Sequence, residues 1–65
     1  MELKINEVLK EENIGKVYKD IDTDDVYILE PPGELVRAVK FEGFNITELY
    51  SLKDILDMEF EEIHE

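Results

Sequence analysis

The sequence predicts an α+β fold: a short N-terminal helix followed by a small curved antiparallel β-meander, with the strand order of an SH3-like barrel. Three observations carry this. Apolar residues near the start recur at helical spacing and give way to a glycine. From residue 16 the apolar period moves towards two. Turn-forming clusters then follow at short intervals, which favours strands that neighbour one another in sequence.

In the opening helix Ile5, Val8 and Leu9 share one face, Asn6 serves as N-cap, and Gly15 is the stop. A helix this short is marginal alone and must be held by packing. Residues 16–21 are rich in β-formers and read as the first strand. The polar cluster at residues 22–25 is a turn, and Val26–Glu30 returns as the second strand of a hairpin. Pro31-Pro32-Gly33 ends that strand, because neither proline can donate to a ladder. Residues 34–41 alternate, with Leu35, Arg37, Val39 and Phe41 on one face and Val36, Ala38 and Lys40 on the other. Glu42-Gly43 is a turn signal, and residues 44–50 read as a fourth strand.

The tail supports two readings. Leu52, Ile55, Leu56, Phe60 and Ile63 fit one continuous helix. The preferred alternative is a single helical turn over Leu52–Asp57, capped by Ser51, and then a strand carrying Met58 and Phe60. That last strand would cover an otherwise exposed sheet edge and complete the barrel-like order.

Sixty-five residues make one domain, residues 1–65, near the lower size limit for independent folding. An apolar content of 43% is normal for a globular chain and too high for a disordered acidic tail. Cysteine is absent, which excludes disulfides, thiolate metal sites and thiol nucleophiles. No leader-like segment or membrane-length apolar run is visible, so a cytoplasmic location, inside a host cell, is the expectation. Eighteen acidic residues against seven basic ones give a formal charge of −11. That charge repels nucleic-acid backbones and anionic membranes and points to a basic partner, a cation, or a need only for solubility. Dimerisation would add core but would also bring like charges together.

Catalytic chemistry finds little material. His64 lies near the end of the chain, Ser51 is better explained as a helix cap, and the three glycines are isolated. The segment Asp20-Ile21-Asp22-Thr23-Asp24-Asp25 begins like a calcium loop of the EF-hand type. It departs where Asp25 replaces the turn glycine and Pro31 replaces the bidentate glutamate. Asp22-x-Asp24 also matches a phosphatase nucleophile pattern, but the chain is too short for the parallel sheet that such chemistry needs. The expectation is a non-enzymatic protein with no cofactor and no metal.

Carboxylates on alternate residues of a strand stand about 6.7 Å apart and can imitate a row of phosphates. Asp20, Asp22, Asp24, Asp25, Asp57, Glu59, Glu61 and Glu62 are the candidate acidic surface. Tyr18 and Tyr27 are candidate apolar anchors that also pair across the first hairpin. An anionic small ligand would instead require a pocket containing Arg37, Lys40 or Lys16.

The segment Ile14-Gly15-Lys16-Val17-Tyr18 and the run from Asp54 to Ile63, ending Phe60-Glu61-Glu62-Ile63, resemble short proteins encoded by bacteriophages and prophages of Gram-positive bacteria. The resemblance covers most of the chain through structural motifs and implies a helix, a meander and a closing strand. Among small acidic phage proteins it implies inhibition of host nucleic-acid-binding or defence proteins, sometimes by mimicking DNA. Sequestration of an anionic defence signal by a small oligomer, and a structural accessory role, are the alternatives.

Overall fold

The computed structural model describes residues 2–38 and 43–64. The element order is α1 (Ile5–Val8), a 3₁₀ turn (Glu11–Asn13), β1 (Val17–Asp20), β2 (Val26–Glu30), β3 (Glu34–Arg37), α2 (Ile46–Leu49), α3 (Leu52–Asp57) and β4 (Phe60–Ile63). The four strands form one antiparallel sheet of order β3-β2-β1-β4. The expected α+β class is present, and the last strand does cover the free edge of β1. The sheet is open, however: β3 and β4 are its two edges, and no pairing joins them among the described residues.

Local chemistry explains the elements. In α1 the N-cap is Lys4 rather than Asn6, and its backbone N–H donates to Glu7 Oε1 at 3.0 Å. The helix ends early. Asn13 is buried and donates from Nδ2 to the carbonyls of Glu7 and Val8, both at 3.1 Å; the Glu7 carbonyl is an acceptor that the helix end leaves open, while Val8 O also accepts from the Lys10 N–H at 2.8 Å. Leu9, expected on the buried face, is the C-cap residue and is 47% exposed. Gly15 then takes a φ of +95°, the left-handed region that side chains disfavour, and its N–H donates to Leu29 O.

Asp20 opens the first turn. Its Oδ1 accepts from the Asp22 N–H at 2.9 Å, and Asp24 sits at a φ of +64°, which aspartate tolerates better than most residues. Residues 31–33 make the second turn, with the Gly33 N–H donating to Glu30 O. The strand expected at 34–41 is observed as β3, ending at Arg37, and Val39, Lys40, Phe41 and Glu42 lie outside the described residues.

Residues 44–50 are not a strand. Asn45 Oδ1 accepts from the Thr47 N–H at 3.1 Å, and the Asn45 N–H donates to Glu48 Oε2 at 3.1 Å. This reciprocal cap makes α2 the outcome despite the β-forming side chains. In the tail, Ser51 Oγ accepts from the Asp54 N–H and caps α3 over the expected residues. The strand of the preferred reading begins at Phe60, two residues after Met58, which caps α3 and is buried.

The core lies between the sheet and the helices. Ile5, Val8, Ile46, Ile55 and Met58 pack on Tyr18, Tyr27, Leu29, Leu35 and Phe60. Tyr27 meets Phe60 edge to face, with ring centroids 6.1 Å apart. The opposite face of the sheet carries Val17, Val26, Ile28, Val36 and Ile63, none of which packs on this core. No helix among the described residues is long and apolar enough to cross a membrane.

Candidate functional site

The register gathers part of the expected acidic surface at one end of the sheet. Lys19 pairs with Glu61 and Asp20 with Phe60, while the Ile21 N–H donates to Glu59 O. The β1–β2 turn, with exposed Asp22 and Asp24, therefore lies beside Glu59 and Glu61. Asp57, exposed at the end of α3, borders the same region: Lys4 Nζ reaches both Asp57 O, at 3.4 Å, and Glu59 Oε1, at 3.8 Å. Lys19 Nζ stands 3.8 Å from Asp24 and 3.9 Å from Glu61. These are surface ion pairs of small energy. Two lysines do not balance the carboxylates around them.

Glu2 joins this group. A Leu3–Phe60 bridge brings the first residues alongside β4, and the neighbouring Glu59 carboxylate pushes the Glu2 carboxyl above its ordinary value. Nothing in the local sequence signals this, because the contact depends on pairing between the two ends of the described chain.

Three of the expected acids are elsewhere. Asp20 is 3% exposed, and one of its oxygens is occupied by the turn it builds. Asp25 is half-buried and meets Arg37 Nη2 at 3.4 Å. Glu62 points to the other side of β4 from Glu61, half-buried, with Lys16 Nζ at 3.9 Å and His64 Nδ1 at 3.3 Å. Strand alternation sets Asp20 on the core face of β1 and sends Glu61 and Glu62 to opposite faces of β4.

Tyr18 and Tyr27 pair across the hairpin as expected, but on the core face, 1% and 0% exposed. They are structural rings and offer no surface to a partner, so they leave the candidate surface. Burial, then the charge of Glu62, raises the Tyr18 phenol above its ordinary value. Burial raises Tyr27 much further, helped by Tyr50 and Asp25. The Tyr27 hydroxyl is fully enclosed and has no hydrogen-bond partner of good geometry among the described residues.

Surface concavities are lined by Lys10, Glu11 and Glu12, and by Leu3, Glu61, Glu62 and His64. Neither contains Lys16 or Arg37, which are taken up by Glu62 and Asp25, and Lys40 lies outside the described residues. Among the described residues no three His, Cys, Asp or Glu side chains are grouped to hold a metal ion. No family model, curated protein or solved structure gives a significant match to the chain.

Proposed function

We propose that this chain is a non-enzymatic acidic binding protein that blocks a basic protein, of the nucleic-acid-binding or defence class, inside a host cell. The reading places it with the small acidic inhibitors of phage type. It is carried by one observation: Glu2, Asp22, Asp24, Asp57, Glu59 and Glu61 gather at one end of the sheet, with only Lys4 and Lys19 to offset them among the described residues. Such a surface raises association rates with a basic partner by long-range attraction, and it competes with the phosphates that the partner otherwise binds.

The test is retention of partners from a bacterial lysate on the tagged protein across a salt series, followed by competition with DNA. One stoichiometric nucleic-acid-binding protein, eluted at moderate salt and displaced by DNA, is the expected result. Charge reversal at Asp22, Asp24, Glu59 and Glu61 abolishes that retention. Retention unaffected by salt or by the reversal refutes the proposal.

A further inference from the structure

The outer face of the sheet carries an unbroken apolar row across all four strands. The register aligns Val36 with Ile28, Ile28 with Val17, and Val17 with Ile63. Val26 extends the row along β2. The helices pack on the other face, and these side chains are partly buried and stand outside the core cluster. At about 4.8 Å per strand the row is about 14 Å long.

Its borders are charged, mainly with one sign. Beyond Ile28 and Val36 stand Glu30 and Glu34, directly opposite each other across the strand pair and both exposed. Like charges in that position disfavour the pairing, and no lysine or arginine bridges them among the described residues. On the other side of the row the register sets Lys19 between Val26 and Glu61, with Asp24 in the turn beyond, so two carboxylates share one cation. An apolar strip with the uncompensated acidic margin of Glu30 and Glu34 on one side fits a partner with the inverse pattern. A second copy of this chain has the wrong charge, since it would set one carboxylate margin against another.

We propose that this outer face docks a basic amphipathic helix of a partner protein, with apolar side chains on the Val36–Ile28–Val17–Ile63 row and Lys or Arg against Glu30 and Glu34. The proposal rests on the reading of the chain as a binder of basic proteins and assigns that partner an apolar contact as well as a charged one. About three helical turns present side chains over a length comparable to the row. The apolar row adds a contact that salt weakens less, and the acidic margin carries the salt-sensitive attraction and sets orientation.

The test uses two probes at physiological salt: a leucine–lysine amphipathic peptide of about 14 residues, and an oligolysine of equal charge. Binding is followed by calorimetry and by amide NMR shifts of the isotope-labelled protein. The amphipathic peptide binds about tenfold or more tightly than oligolysine and shifts Val17, Ile28, Val36 and Ile63. The double variant Ile28→Thr/Val36→Thr, which keeps β-branched residues in the strands, loses that advantage while retaining a dispersed amide spectrum. If the double variant loses dispersion, Val36→Thr alone carries the comparison.

Equal binding of both probes, lost on charge reversal of Asp22, Asp24, Glu59 and Glu61, overturns the docking face and leaves the acidic surface standing. Failure of both probes overturns both. Sedimentation showing a dimer with this face protected from exchange assigns the face to a second copy and also overturns the proposal.

Discussion

Replacing Tyr27 by phenylalanine stabilises this protein. The ring is 0% exposed and its edge-to-face contact with Phe60 does not involve the hydroxyl, so the substitution changes little besides one oxygen. Among the described residues that oxygen is enclosed without a hydrogen-bond partner of good geometry, a situation that costs about 1–3 kcal/mol. Removing it also forfeits weak contacts with neighbouring groups such as Tyr50, so the expected net gain is about 1 kcal/mol. Urea denaturation reads this directly. With a slope of about 1 kcal/mol/M for so small a domain, the midpoint moves up by about 1 M and the slope is unchanged. A second readout comes from alkali. The folded protein holds the Tyr27 proton that the unfolded chain releases from its ordinary value of 10.0, so this contribution is intact below pH 10 and is lost as pH rises above it. Each such tyrosine adds a slope of about 1.4 kcal/mol per pH unit. Tyr18 acts in the same sense, so Tyr27→Phe reduces the alkaline loss without removing it. A Tyr27→Phe protein that is less stable by 1 kcal/mol or more, or has unchanged alkaline behaviour, refutes the account of an unsatisfied hydroxyl.

Three further outcomes follow from the same structure. Asn13→Ala leaves the Glu7 carbonyl without its donor, while Val8 O keeps the Lys10 N–H, and lowers stability by about 1–3 kcal/mol in thermal unfolding; a change within experimental error shows that water replaces the amide. Asn45→Ala removes the cap of α2 and costs about 1 kcal/mol, with the largest rise in amide exchange confined to residues 46–49; a uniform rise shows instead that α2 is an integral part of the global unfolding unit. Added salt raises the melting temperature. At about 10 mM salt the screening length is about 30 Å, larger than the longest molecular extent of 26 Å, so the carboxylates repel one another across the whole protein, whereas at about 150 mM it is about 8 Å. A melting temperature that falls with salt means the surface ion pairs outweigh the repulsion.

Local signals in the sequence were reliable wherever a side chain acts on its own backbone. Pro31, Pro32 and Gly33 end β2, Ser51 starts α3, and the polar run after Asp20 makes a turn. The helix at residues 46–49 was also legible: Asn45 followed three residues later by Glu48 is a capping signature, and it outweighed the β-forming Phe44, Ile46 and Tyr50. What could not be read locally is the face on which a side chain lies once strands pair. Asp20 and Tyr18 share the buried side of β1, so an acid expected on the surface is enclosed and an expected anchor is core. Glu61 and Glu62 are adjacent and look alike, but register sends one to the outer face and the other towards Lys16. The outer apolar row is visible only after three separate registers are known, since its four residues come from four strands. Barrel closure failed as an expectation for a related reason: the residues expected to form the strand after β3 are used by α2, and the sheet keeps two edges.

The pairing of β1 with β4 also bears on the order of folding. β1 is an interior strand of the finished sheet, yet its two neighbours lie at different distances along the chain: β2 follows after a short turn, whereas β4 is the last described strand. The β1–β2 hairpin can therefore close on local contacts while the edge of β1 that β4 occupies is still unpaired and the Tyr27 ring lacks Phe60. Closing that edge is a contact of long sequence separation, which is slow to form. The dense negative charge of the chain, whatever it does for a partner, holds copies apart while that edge is open.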